Sequence, residues 1–188
     1  QAWGPGGGGS RSNAGGNGTG GGSGAYTEIT TPAASGDVYT ITAPLREGTF
    51  SGVRLECLPD ASPPNQSLGR YPNGNFVLSG ITAEITAPSL ATSLTARFQR
   101  AEATYSQQGW EIGLVLDGVP NNGWAVDGPT RRDPTSAMFL VETPLAVPAE
   151  ATLTVRLEHA ALDHHNIGRF RLSVTGLPPG TVKLDGAA

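Results

Sequence analysis

Alternation of apolar and polar residues with a period of two recurs along this chain and constrains its fold more than any other feature. The segment TLTVRLEH places Leu153, Val155 and Leu157 on one face of an extended chain, with polar side chains between them. The segments RFRLSVT and LTARF repeat the pattern. Short alternating segments of this kind are typical of antiparallel sheets with one solvated face.

Other segments are apolar enough to form strands, and no segment shows helical periodicity of any length. Gly80 interrupts the alternation in the longest of them, which predicts a β-bulge at that position. The chain is therefore predicted to be all-β, an antiparallel jelly-roll β-sandwich. The further predicted strands are residues 26–31, 38–43, 52–58, 76–86 and 137–142.

Composition and charge narrow the class of protein. The chain has 188 residues, and charged residues make up only 15% of it, whereas Gly (27) and Pro (15) are abundant, as suits short strands joined by turns. A net charge of −4 argues against a nucleic-acid partner, which would need a basic patch. No apolar run approaches the length of about 20 residues that a membrane-spanning helix needs.

The N-terminal segment differs from the rest of the chain. Residues 1–25 are predicted to be a Gly-rich arm, 26–177 the sandwich domain and 178–188 a C-terminal tail. Half of residues 1–24 are glycine, and Trp3 is their one large apolar side chain. Such an arm cannot bury enough surface to order itself, so we expect it to contact neighbouring subunits. The residues predicted to make these assembly contacts are Trp3, Gly6, Gly7, Gly8 and Gly9.

Two features concern the compartment and the chemistry of the chain. It begins at Gln1 rather than Met, so we expect a secreted protein whose signal peptide was removed before Gln1. Cys57 is the only cysteine, which excludes an internal disulfide. It alternates in phase with Val53 and Leu55, which predicts a buried thiol rather than a nucleophile.

Three motifs occur in one order along the chain: RLECLPD with GRYPNGNFVLS, then ATYSQQGW with LDG and GWA, then IGRFRLSVT. Together they resemble the β-sandwich domain of large secreted planctomycete-type cytochrome c proteins, over residues 26–175. More distantly, the pattern is similar to galactose-binding-like and discoidin-type domains. The resemblance implies a galactose-binding-like sandwich and, by analogy of fold alone, carbohydrate binding.

The chain departs from this family in two ways. It has no haem-attachment C-x-x-C-H motif. It also has Gly80 after Leu78 and Ser79, where the family tends to have an acidic residue. The resemblance therefore implies a fold more firmly than a ligand.

Aromatic side chains beside polar groups are the candidate ligand site. A flat ring can stack on a sugar while nearby polar groups orient it, and Trp110 and Tyr105 are further aromatic candidates. For each of these rings the alternative is packing in the core, since aromatic residues are only 6% of the chain. The predicted ligand-binding residues are Tyr71, Arg70, Asn73, Asn75, Trp124 and Arg131, with Arg132 beside the last.

Two polar segments raise the question of a metal. The turn-rich segment Asp117-Gly118 with 121–124 is interpreted as structural turns closed by Asp and Asn side chains. The alternative is a loop that binds a cation such as Ca²⁺, or a sugar. His159, Asp163, His164 and His165 could suggest a metal site, but the segment ALDHHNIG, residues 161–168, is interpreted as a solvated hairpin connection. We predict no cofactor.

Asn17 and Asn65 begin N-x-[ST] patterns and are the candidate glycosylation sites. No nucleophile with an oriented base and no paired carboxylates stand out, so the chain is predicted not to be an enzyme.

The favoured hypothesis is a non-catalytic structural or interaction module of an extracellular filament or cell-surface assembly. It would use its arm to contact neighbours by self-association or through other extracellular subunits. The alternative is a carbohydrate-binding module that recognises extracellular or cell-wall glycans.

Overall fold

The alternating strands form two antiparallel sheets that face each other across an apolar core, which confirms the predicted all-β sandwich. The computed structural model describes residues 4–5, 25–27, 37–61 and 66–184. The strands are β1 (Gly4–Pro5), β2 (Ala25–Thr27), β3 (Val38–Leu45), β4 (Gly48–Leu58), β5 (Gly80–Thr86), β6 (Leu94–Ala96), β7 (Phe98–Ala103), β8 (Thr135–Val147), β9 (Ala151–Glu158) and β10 (Arg169–Thr175).

The first sheet has the order β10-β4-β8-β7, and both β1 and β2 pair with β10 on the edge that does not face β4. The second sheet has the order β3-β9-β5-β6. On one side of the sandwich a single residue, Arg97, separates β6 from β7, so the chain passes there from one sheet to the other. On the opposite side β3 and β10 face each other, and the ring of Tyr39 stacks on that of Phe170 at 6.0 Å.

The core follows the predicted alternation. Leu153, Val155 and Leu157 of β9 are buried, with half-buried residues between them. In β10, Phe170 and Leu172 are buried in the same way. The largest side chains that are wholly buried are Trp124, Phe50, Phe76, Phe139 and Phe170.

The outer face of β8 is covered by the C-terminal segment. Met138 and Leu140 point away from the main core, and Val182 and Leu184 pack on them as a small second cluster. The 3-10 helix Pro179–Thr181 directs the chain across this face. The segment predicted as a tail from residue 178 onward is thus part of the sandwich as far as Leu184, because β8 is apolar on both faces.

The predicted strand 76–86 is wrong in its first part. The strand begins at Gly80, which is its first residue rather than a bulge. Phe76, Val77, Leu78 and Ser79 are all buried, so this segment does not alternate. Bulges occur instead where β4 and β7 pair with β8, between Phe50 and Gly52 and between Phe98 and Arg100.

The helices whose full bounds the structure describes, Ile112–Leu116 and Pro179–Thr181, are both short 3-10 helices. In the described part of the chain no helix is long and apolar enough to cross a membrane. Of the predicted strand 26–31, residues 26–27 lie in β2, and the rest fall outside the described residues.

Candidate functional site

Three long connections meet at one end of the sandwich, which we call the loop end: residues 59–79, 104–134 and 159–168. They converge because β4, β7 and β9 all finish there and β5, β8 and β10 all start there. Isolated bridges join the connections to one another, Gly69 to Ile167 and Leu78 to Trp124. Each of the three sequence motifs contributes residues to this end.

The segment GRYPNGN forms a closed turn at the loop end. The Gly69 N–H donates to Gly74 O at 2.9 Å, and the Gly74 N–H donates to Tyr71 O at 2.7 Å. Asn73 Oδ1 accepts from the Asn75 N–H at 2.8 Å, an Asx-type turn. Gly74 has a φ of 84°, and a Cβ on Gly69 would lie 1.9 Å from Asn75 O, so both positions require glycine.

Asn75 joins two of the three connections and is only 8% exposed. Its Oδ1 accepts from the N–H groups of Val126 and Gly128, both at 3.2 Å. Its Nδ2 donates to Gln107 Oε1 at 2.9 Å. The amide of Asn75, which is predicted to bind a ligand, is thus used in this structure to satisfy buried backbone donors.

Trp124 is likewise part of the interior. Its ring is 0% exposed and meets Phe76 edge-on at 5.2 Å. Its Nε1–H donates to Tyr105 O at 2.9 Å, and its backbone exchanges two hydrogen bonds of 2.9 Å with Leu78. Trp124 is therefore not a platform on which a sugar could stack, and the alternative of core packing is confirmed.

Tyr71 is the predicted ligand residue that keeps an accessible ring. It is half-buried and stacks on the His165 ring, with centroids 3.8 Å apart and planes 17° apart. His165 comes from the third connection, where its Nδ1 lies 2.8 Å from Asp163 O. The neighbouring Arg70 donates its backbone N–H to Asn166 O at 2.9 Å.

Arg131 lies in a cluster that the motifs did not predict. Its guanidinium carbon is 3.8 Å from the centre of the Tyr105 ring, a cation–π geometry. The Tyr105 hydroxyl donates to Asp127 Oδ2 at 2.7 Å, and this hydrogen bond is the main reason that the pKa of Tyr105 is raised. Asp127 follows Trp124 in the GWAVDG segment, but the contact with Tyr105 spans 22 residues and has no local signal.

The turn at Asp117 uses its own carboxylate. Oδ1 accepts from the Val119 N–H and Oδ2 accepts from Asn122 Nδ2, both at 2.8 Å. This confirms the interpretation of the segment as a turn. In the part of the chain that the structure describes, no group of three or more His, Cys, Asp or Glu side chains could hold a metal ion.

His159, one of the residues that could suggest a metal site, is a buried structural residue. Its Nδ1 lies 3.1 Å from Asp37 O, and the Ile167 N–H donates to its Nε2 at 3.3 Å. These partners require a neutral ring that carries its proton on Nδ1. Burial lowers the pKa of His159 to about 4. The adjacent Tyr39 hydroxyl donates to Ile167 O at 3.0 Å.

Cys57 is completely buried, as predicted. Burial raises the pKa of its thiol, which disfavours the thiolate that a nucleophile needs. The remaining predicted residues lie outside the described part of the chain: Trp3, Gly6, Gly7, Gly8, Gly9, Asn17 and Asn65.

No family model, curated protein or solved structure matches the chain. The resemblance to the planctomycete-type sandwich domain therefore stays a prediction that rests on the three motifs.

The first prediction concerns Asn75. Asn75→Ala removes three hydrogen bonds and leaves two buried N–H groups without a partner, so we expect the free energy of unfolding to fall by about 2–4 kcal/mol. Urea denaturation measures this loss. Asn121→Ala, at an exposed turn position, is the matched control and should change stability by less than about 0.5 kcal/mol. Equal effects of the two changes would contradict the role assigned to Asn75.

The second prediction concerns pH and His159. Above pH 6.5 the imidazole is neutral in both states, but as the pH falls from 6.5 toward 4 only the unfolded chain takes up the proton. Stability should therefore decrease over this interval, by about 3 kcal/mol in total from this group, and this contribution should level off below it.

Urea titrations at a series of pH values, compared with His159→Gln, measure this contribution. The carboxylates are common to both proteins, so the difference in slope isolates His159. His164→Gln is the control, because it removes an exposed histidine and keeps the buried His159 ring. Its stability should depend on pH as that of the wild type does. Parallel curves for wild type and His159→Gln would show that His159 is not held neutral.

Proposed function

We propose that this chain is a non-catalytic extracellular structural or interaction module, a subunit of a filament or cell-surface assembly whose Gly-rich arm contacts neighbouring subunits. One observation carries the proposal. Gly4–Pro5 of the arm and the strand Ala25–Thr27, which begins at the last residue of the arm, both pair along the outer edge of β10. Backbone pairing at a sheet edge is a common means by which extended segments bind proteins.

The Cys, His and Asp side chains that could act in catalysis are buried or hydrogen-bonded within the fold, which supports a non-catalytic role. The thiol of Cys57 is sealed in the core, and both nitrogens of His159 are occupied by the backbone. Asp127 is bonded to Tyr105, and Asp117 closes its own turn. These groups stabilise the loop end, which leaves them unsuited to act on a substrate.

The same geometry supports the proposed kinship with galactose-binding-like jelly-roll domains and the planctomycete-type sandwich. The motif segments are far apart in sequence, yet they meet at one end through the bridges Gly69–Ile167 and Leu78–Trp124. Motifs that build a single structural unit are expected to occur together and in a fixed order. An extracellular location belongs to the same proposal.

The third prediction tests the arm. We expect the full chain to exceed its monomer mass of 19.3 kDa in light scattering and a chain without residues 1–24 to be monomeric. Trp3→Ala should weaken association, because Trp3 is the large apolar side chain of the arm. Gln1→Ala is the control from the same arm and should leave association unchanged. An oligomer size that survives the truncation would refute the proposed role of the arm.

A carbohydrate-binding module is the second candidate, favoured by the half-buried Tyr71 ring stacked on His165 at the loop end. Stacked aromatic rings provide the flat apolar surface on which a sugar ring packs. The burial of Trp124 and the internal bonding of Asn75 reduce the predicted platform to Tyr71 and its neighbours.

The fourth prediction tests this candidate by affinity electrophoresis in gels that contain soluble polysaccharides. If the loop end binds glycans, Tyr71→Ala should abolish retardation, because the stacking ring is lost. Tyr71→Phe keeps the ring and is the matched control. Retardation that is unchanged by Tyr71→Ala would exclude this platform.

A further inference from the structure

The outer edge of β10, the edge that faces away from β4, is a rigid and preformed strand acceptor. On its other edge β10 pairs with β4 over its whole length, from Arg169 opposite Leu58 to Thr175 opposite Gly52. Arg171 also reaches across to Glu56, where Nε and Nη2 each donate to a carboxylate oxygen at 2.6 Å. A strand held in this way presents its outer N–H and C=O groups in a fixed line.

Two separate pieces of the N-terminal region, one in the arm and one at its end, occupy this edge in line. Gly4 and Pro5 lie opposite Val174 and Ser173. Ala25, Tyr26 and Thr27 then continue opposite Leu172, Arg171 and Phe170. Both pieces run antiparallel to β10, and Pro5 and Ala25 meet neighbouring residues of β10. The edge therefore accepts one nearly continuous run of extended backbone.

These two pieces pair with β10 through backbone groups, which are the same in every copy of the chain. Short segments form few ladder bonds, and Pro5 brings no N–H to the edge. An identical segment from a second copy would make the same hydrogen bonds in the same register. Exchange between copies therefore replaces each hydrogen bond within a chain by an equivalent one between chains.

The connection to the sandwich is long enough for exchange. Residues 28–37 join β2 to β3, and ten extended residues span at most about 35 Å. That reach allows β2 to leave its own β10 and lie on the edge of an adjacent copy while β3 stays in place.

We propose that the outer edge of β10 binds residues 4–5 and 25–27 of a second copy of this chain, by exchange of the N-terminal arm. This inference rests on the proposed function. It identifies the partner as a second copy of the chain and the binding surface as the outer edge of β10. Reciprocal exchange gives a closed dimer, and exchange in one direction gives an open chain of subunits.

The fifth prediction uses disulfide trapping at one register pair, Pro5 and Ser173. Residues directly opposite in an antiparallel pair have Cα atoms about 4.5–5.5 Å apart, within the range that a disulfide spans. Chains carrying Pro5→Cys are mixed with chains carrying Ser173→Cys, unfolded together in urea, refolded at high concentration and oxidised. The native Cys57 is completely buried and is present in every sample as a common background.

We expect a covalent heterodimer on non-reducing gels, in a yield at least roughly tenfold above that of a control pair, because strand pairing raises the effective concentration of the two thiols. The control mixes Pro5→Cys with Ser89→Cys, an exposed residue in the turn after β5. A single chain with both Pro5→Cys and Ser173→Cys tests whether the register itself is correct.

The outcomes separate this inference from the proposed function. Linkage only within the double variant, or yields equal to the control, would overturn arm exchange. If light scattering still shows oligomers that depend on residues 1–24, the proposed function stands and the acceptor surface lies elsewhere. A full chain that is monomeric at every concentration, without cross-linking between chains, would overturn both.

Discussion

Long connections that are buried must find partners for their backbone groups without the help of a strand ladder, and this constraint governs the loop end. The Asn75 side chain accepts hydrogen bonds from the backbone N–H groups of Val126 and Gly128. Beside the core, Leu78 and Trp124 satisfy each other's backbone groups. His159 does the same for Ile167 and Asp37. The polar side chains of Asn75 and His159 are thus hydrogen-bonded to the backbone of the loop end, where they have a structural role.

A second constraint acts at the edges of the sheets. The side of the sandwich where β6 runs into β7 is closed by the chain itself, and the opposite side is formed by the borders of β3 and β10. Residues 4–5 and 25–27 lie along the border of β10, so these two short extended pieces have a defined place in the structure. The functional proposal and the exchange of arms both follow from this one edge.

Local pattern was sufficient for much of the fold. The strands β3, β4, β9 and β10 and the burial of Cys57 follow from alternation with a period of two. The site was less accessible to sequence reasoning. Asn75, Trp124 and Arg131 carry residue types that suit a ligand site, but their partners Val126, Leu78 and Tyr105 decide their role. The segment 76–79 misled for a related reason, since connections from both sides bury it and remove the alternation that marks a strand.

The sequence by itself determined that the chain forms an antiparallel sandwich with a Gly-rich arm, because strand periodicity and turn composition are local properties. Only the tertiary structure decided which polar groups face the interior, where the arm segments lie, and that Val182 and Leu184 cover the outer face of β8. These depend on contacts between residues far apart in the chain. Burial and hydrogen-bond partners are set by the whole packed arrangement, and a residue type at one position does not specify them.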